Sequence, residues 1–348
     1  MPSPPHRAHF ASDNNAGICP EAFAALAAAN AAGHAGGYGD DAYTAKASAL
    51  ISKLFDRDCA VFFVFNGTSA NALALAHLCR SYHAVICHRL SHVNEDECGA
   101  PEFFMGGGKL LPADGEHGKL TPETIDQLGA QTGRVHSNKP GAVSITQSTE
   151  LGTVYSIAEV TALAAAAKRN GLAVHMDGAR FANAVATLKC HPADITWRAG
   201  VDVLSFGSTK NGLGVGEAVV FFDKAQANEF AWRMKQAGQL NSKMRLVTAP
   251  WIAMLENDVW LKNARHANAM AQRLVTALQR TKGVHVMHPV QANAVFVDLP
   301  VSVQAAVRAK GWRFYTFLGD TGCRLMCAWD TDPATVDQFA SDVIEACE

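Results

Sequence analysis

Apolar and polar positions along the 348-residue chain alternate between two periods. Residues 60–65 (AVFFVF) form a continuous apolar run of strand length, the pattern of a strand buried on both faces of a helix-covered sheet. Residues 84–87, 143–146, 172–176, 201–206 and 217–222 read as further strands. Between them the spacing lengthens to that of helices. Leu50, Ile51, Leu54 and Phe55 share one helical face, and the alanine-rich segment 20–30 ends at Gly33, Gly36 and Gly37. Thr121-Pro122-Glu123 opens a helix. Ser156 and Glu159 make a capping box for another that closes at Gly171. This alternation over residues 60–220 predicts an α/β fold with a mostly parallel sheet between helices, whose strand ends converge on one edge. Residues 224–261 read as helical and 260–281 as a long helix leaving the large domain. Strand, helix, strand, strand, helix then follow at 295–299, 302–310, 312–318, 323–329 and 333–346. The organisation expected is a large domain with an N-terminal arm over residues 1–255 and a small C-terminal α/β domain over 256–348, the first ten residues being frayed.

Composition narrows the partners. The formal net charge of -2 supplies no basic footprint, which argues against nucleic acid or an anionic membrane and favours a small molecule. No window is apolar for the length of a bilayer span, so a cytoplasmic protein is expected. Nine cysteines, an odd number without a C-x-x-C pair, predict reduced thiols rather than disulfides or zinc. Cys323 and Cys327 lie on a strand pattern that would separate them, so no metal site is expected.

The chemistry concentrates at strand ends. In VDVLSFGSTKNGLGVG a short strand runs into a glycine- and serine-rich turn whose cation is Lys210, an amine suited to a Schiff base with a carbonyl cofactor. Alone, it reads more simply as a surface lysine. Gly67, Thr68 and Ser69 stand between a strand and a helix start, a ready anion site, although a helix cap alone explains the hydroxyls. His88 and His92 follow the next strand, and chain position leaves them nearly tied. Glu95, Asp96 and Glu97 read as a solvated helix start, and Ser12, Asp13 and Asn14 as turn formers. Asp177 and Arg180 close the strand at 172–176, and Tyr38 sits beside glycines. Arg324, on an apolar strand, needs an anion. Together these groups ask for a phosphate, a ring, a protonatable ring nitrogen and an aldehyde, which is pyridoxal 5'-phosphate. Gly67, Thr68 and Ser69 would hold the phosphate, His92 the ring face and Asp177 the pyridinium, while Lys210 would carry the covalent bond. A nicotinamide dehydrogenase, suggested by GLGVGE at Gly212, has the wrong glycine spacing. A non-catalytic binding protein would not require Asp177, Lys210 and both arginines.

The motifs ASDN at Ser12, YGDD at Tyr38, NGTSAN at Gly67, LSH at His92, HMDGARFANA at Asp177, FGSTKNGLG at Lys210 and CRLMCAWDT at Arg324 resemble the low-specificity L-threonine aldolases. The resemblance covers essentially the whole chain. It implies a fold type I, aspartate-aminotransferase-like PLP enzyme that cleaves L-threonine, L-allo-threonine and other β-hydroxy-α-amino acids to glycine and an aldehyde. β-Elimination or serine hydroxymethyl transfer on the same scaffold is the alternative. It implies too that Ser12, Arg180 and Arg324 hold the substrate carboxylate, with Arg180 also near the cofactor's phenolic oxygen. The implied assembly is a homotetramer of two catalytic dimers, in which Tyr38 and a cation of the Lys235–Arg245 segment, Lys235 foremost, reach the neighbour's site. Many members carry a second histidine in the loop after the strand at 143–146. Here QSTELG places Thr149 and Glu150 there, which leaves His92, or a water it holds, as the leading base.

Overall fold

The structure, a computed structural model, describes residues 10–131 and 135–348. The first seven strands are β1 (Ala60–Val64), β2 (His83–His88), β3 (Lys109–Ala113), β4 (Lys139–Thr146), β5 (Ala173–Gly178), β6 (Val203–Phe206) and β7 (Glu217–Phe221). They form one sheet in the order β1-β7-β6-β5-β4-β2-β3. From β6 to β3 every pairing is parallel, and β7 runs antiparallel to both β6 and β1. The parallel set matches the α/β pattern, because each crossover carries a helix that covers an apolar face. The run at 60–65 departs from its reading: β1 is an edge strand, its first three residues are only half-buried and Phe65 is exposed. An uninterrupted apolar run cannot by itself distinguish an edge from a centre.

The small sheet has the order β10-β11-β9-β8, all antiparallel, with β8 His285–Val286, β9 Ala294–Asp298, β10 Tyr315–Leu318 and β11 Gly322–Met326. The segment 224–261, expected to be helical throughout, is broken. A 3-10 turn at Lys224–Ala227 is followed by helices Phe230–Gln236, Arg245–Glu256 and Val259–Leu278. Gly238 at φ 73° and Asp258 at φ 52° occupy left-handed backbone that no helix interior accepts.

The two largest apolar cores lie along this frame. One packs Phe55, Ile86, Val143, Met176, Leu204, Phe206, Trp251 and Trp260 between sheet and helices. At roughly 1.5–3 kcal/mol per buried large side chain, this is the main force that fixes the strand ends. The other gathers Leu274, Val295, Leu325 and Phe339. The helix Val259–Leu278 feeds both, with Ala264 in the first and Met270 to Leu278 in the second. Of the ten residues expected to fray, 1–9 lie outside the described residues. Phe10 is buried against Phe339 (ring centroids 4.6 Å) in the second core, not the first, and Met326 N donates to its carbonyl at 2.8 Å. At Phe10, therefore, the arm assigned to the large domain packs on the small one. Among the described residues no helix is long and apolar enough to cross a membrane, and no cluster of His, Cys, Asp and Glu could hold a metal.

Candidate active site

Three parallel strands deliver the chemistry to one edge. Asp177, near the carboxyl end of β5, is 2% exposed; Ala179 N donates to Oδ1 (2.9 Å) and Asn71 Nδ2 to Oδ2 (2.8 Å). Burial alone would raise its carboxyl, but His92, the Ala179 amide and Lys210 hold it below the ordinary carboxylate value. The next strand, β6, leads to Gly207, whose backbone lies so close to β5 that a Cβ there would stand 2.6 Å from Ala179 Cα. Only glycine allows the two strand ends to approach this way. The 3-10 turn Thr209–Asn211 that follows is braced by Glu217 Oε2, which accepts from Ser208 N (2.6 Å), and by Asn211 Nδ2 donating to Trp260 O (2.7 Å). Burial, then the nearby Arg180 guanidinium, lowers the Lys210 ammonium from its ordinary value, which makes its amine a better nucleophile near neutrality.

His92 and His88 are separated by the fold. His88 is buried with Nε2 against Gly115 O (3.1 Å), a structural role, whereas His92 lines the cavity. Glu97, read as part of a solvated helix start, is instead buried at 4% exposure. Its Oε1 accepts from His92 Nδ1 (2.9 Å) and from Asn71 Nδ2 (2.8 Å). The bond to Glu97 raises His92, outweighing desolvation, and burial raises Glu97. Glu150 lines the same cavity, accepts from His92 N (2.9 Å), and is pushed up to about 7 by burial and then by Asp177.

The two arginines differ. Arg180 is committed to Asp13 through Nε–Oδ2 (2.7 Å) and Nη2–Oδ1 (2.9 Å), and Asn293 Nδ2 also donates to Oδ2 (3.0 Å). Arg180, expected to hold the substrate carboxylate, lines the cavity while Asp13 occupies its Nε and Nη2. Arg324 on β11 packs over Phe317 (4.9 Å) and donates weakly to Ala11 O (3.3 Å); its Nε is buried without a partner among the described residues. Ser12 caps the turn Asp13–Asn15 by accepting from Asn14 N (3.2 Å), its bland role, and also lines the cavity.

These side chains enclose about 340 Å³, with Gly67, Asn71, His92, Glu150, Asp177, Arg180, Lys210 and Arg324 in the wall, within the usual range for small-ligand sites. Thr68 and Ser69 stand in the first turn of the helix Gly67–Leu78 but not in that wall. Asn66, not either hydroxyl, caps the helix, taking Ser69 N at 2.9 Å. Tyr38 and Lys235 do not line the cavity of their own chain; Lys235 Nζ sits 4.8 Å from the Tyr38 ring centroid. A larger, open depression of about 930 Å³ between residues 76–83 and 229–236 contains Lys235 but none of the other groups. Sequence reasoning missed Asn71, Glu97, Asp13 and Asn293. Asn71 alone left a trace, as an amide inside an otherwise apolar helical run.

The beta-eliminating lyase family matches residues 9–301. The chain is 54% identical to the low specificity L-threonine aldolase of Pseudomonas aeruginosa over 97% of both chains. It is 54% identical to that of a Pseudomonas species over 96% of both. Among solved structures, Leishmania major threonine aldolase superposes with a TM-score of 0.91 at 29% identity, covering 97% of this chain and 99% of that one. Serine palmitoyltransferase of Sphingomonas wittichii (TM-score 0.74, 13% identity, 98% and 87% covered) shares the fold alone. By sequence and by fold, the chain belongs to the low-specificity L-threonine aldolases of the beta-eliminating lyase family.

Proposed function

We propose that the protein is a pyridoxal 5'-phosphate-dependent carbon–carbon lyase, cleaving L-threonine, L-allo-threonine and related β-hydroxy-α-amino acids to glycine and an aldehyde. The observation that carries this reading is that Lys210, Asp177, His92 and Arg324 share the wall of one cavity. The residues present fit the cofactor. At Gly67 a Cβ would meet nothing within 4 Å, leaving room at the helix start for a phosphate on the amides of Gly67 and Thr68, the Ser69 amide being engaged by Asn66. Asp177 offers a buried carboxylate of lowered pKa to the ring nitrogen, His92 the ring face and Lys210 the amine that binds covalently. When bound, the cofactor supplies an electron sink for the pair left on Cα as the Cα–Cβ bond breaks.

The chain's own groups do the rest. Arg324, with an unsatisfied Nε, takes the substrate carboxylate, and Ser12 adds a hydroxyl at the same wall. Arg180, fixed by Asp13 through Nε and Nη2 and lining the same cavity, adds a positioned positive charge toward that carboxylate. His92 accepts the β-hydroxyl proton as the Cβ–O bond becomes the aldehyde carbonyl, and a proton delivered to Cα completes glycine.

Purified holoprotein should release acetaldehyde from threonine and allo-threonine, with no β-elimination of tryptophan, tyrosine or serine. Lys210→Ala should lose the visible cofactor absorbance, its trapping by borohydride and nearly all turnover. Full activity in that variant refutes the assignment. By the same reading the protein is a homotetramer of two catalytic dimers in the cytoplasm, acting in glycine-forming amino-acid metabolism, with Tyr38 and Lys235 completing the neighbour's site. Light scattering gives the mass. Mixing Lys210→Ala with Lys235→Ala subunits should restore part of the activity; no complementation in a mixed oligomer rejects the shared site.

A further inference from the structure

His92, Glu97, Asn71 and Asp177 form an unbroken hydrogen-bonded chain of 2.9, 2.8 and 2.8 Å, in which all but His92 are buried. Its middle members come from different elements: Asn71 from the helix Gly67–Leu78, Glu97 from the turn after the short helix His92–Glu95. The chemistry of the links fixes their direction. Asn71 Nδ2 faces two carboxylates at once, and only an NH₂ group can serve both, since a flipped amide would set an acceptor against two acceptors. Glu97 Oε1 is therefore an acceptor toward Asn71, and as a carboxylate oxygen it takes a donor from His92 as well. The proton of neutral His92 then sits on Nδ1, and Nε2 is the lone-pair nitrogen of a side chain that lines the cavity.

We propose that Glu97 is a positioning residue of this site: it fixes the tautomer of His92 and, through Asn71, locks that imidazole to Asp177 as one unit. The assignment of His92 and Asp177 to the ring face and ring nitrogen rests on the function proposed above; the tautomer does not. A base set in this way presents the nitrogen that can accept a proton, and its ring cannot turn without breaking its bond to Glu97. The groups that face His92 are Glu97 and Asp177, which raise its basicity, Lys210, which lowers it, and Glu150, which engages only its backbone amide. Glu97 in turn faces His92, Asn71 and Asp177.

The test uses ¹⁵N-histidine-labelled protein, with and without bound cofactor, alongside steady-state cleavage of threonine by the holoenzyme. In the parent protein His92 should show the Nδ1–H ring pattern. Glu97→Leu should bring in the Nε2–H form favoured by free imidazole and lower kcat roughly 10- to 100-fold. Its KM should change little, because Arg324 is untouched. Glu97→Gln keeps an acceptor in place without the charge, so the tautomer and most of kcat return. The His92 titration and the acidic limb of kcat/KM should both move to lower pH. Glu95→Gln, at the end of the preceding short helix and exposed, should change neither. A folded Glu97→Leu protein with an unaltered His92 tautomer overturns the proposal. Should that variant fail to fold, an unshifted His92 titration in Glu97→Gln overturns it. A parent protein without aldolase activity rejects the functional reading while the nuclear resonance measurements still decide the role of Glu97.

Discussion

Removing the carboxylate of Asp13 is expected to destabilise the protein far more than an ordinary polar deletion. Asp13 is 2% exposed and meets Arg180 through two bonds of 2.7 and 2.9 Å, with a third contact from Asn293. Burial would raise the Asp13 carboxyl, yet the guanidinium holds it below the ordinary value, so the pair is charged on both sides. In Asp13→Ala the guanidinium stays buried among like charges, since Arg180 already opposes the ionisation of both Lys210 and Arg324. Breaking a buried pair from one side costs about 3–5 kcal/mol, whereas removing both charges in Asp13→Ala/Arg180→Met leaves none unpaired. Urea unfolding of the four proteins of the cycle, cofactor-free, should give a coupling of at least about 2 kcal/mol. Asp13 also supports the ammonium of Lys210, so in Asp13→Ala the Lys210 titration should move further down. An Asp13→Ala cost below about 1 kcal/mol, or an additive cycle, would falsify the claim that Arg180 is a committed rather than a free guanidinium.

Other perturbations separate the remaining roles. Arg324→Met should raise the KM for threonine and reduce kcat/KM roughly 10- to 100-fold, the worth of one charge-assisted contact, while unfolding changes little; an unchanged KM places the carboxylate elsewhere. Gly207→Ala forces a Cβ to within 2.6 Å of Ala179 Cα, so it should displace the lysine turn and weaken cofactor retention, measured by absorbance after dialysis; full retention contradicts the packing. Glu217 is buried behind Lys210 and raised to about 7 by desolvation. Ionising it in the fold therefore costs stability that is present below about 4.5 and lost as pH rises through about 7. Thermal unfolding of cofactor-free Glu217→Gln should gain on the parent as pH rises across that window, by at most about 3.5 kcal/mol, then level off. A pH-independent difference shows that Glu217 does not titrate there.

Much of the architecture was legible along the chain, because burial imposes a period and caps punctuate it. The Ser156–Glu159 capping box forms as read, with Ser156 N to Glu159 Oε2 at 2.7 Å. The strands preceding His92, Asp177 and Lys210 lie side by side through shared neighbours, as alternating strand and helix require. The break between 236 and 245 was less visible, since helical propensity is weak evidence when one glycine adopts left-handed backbone. The edge position of β1 had no signal at all, because strand order is set by partners remote in sequence.

The sequence alone determined which reactive groups end which strands: Lys210, Asp177, the Gly67 turn and a histidine, each a local consequence of pattern and turn chemistry. Tertiary structure decided what each group is paired with. It chose His92 over His88, buried Glu97 beneath it, gave Arg180 to Asp13 and left Arg324 Nε unsatisfied. The physical reason is that periodicity reports which face of an element is apolar. The state of a buried charge depends on counter-charges and hydrogen-bond donors brought in from distant parts of the chain, such as Asp13 lying 167 positions from Arg180.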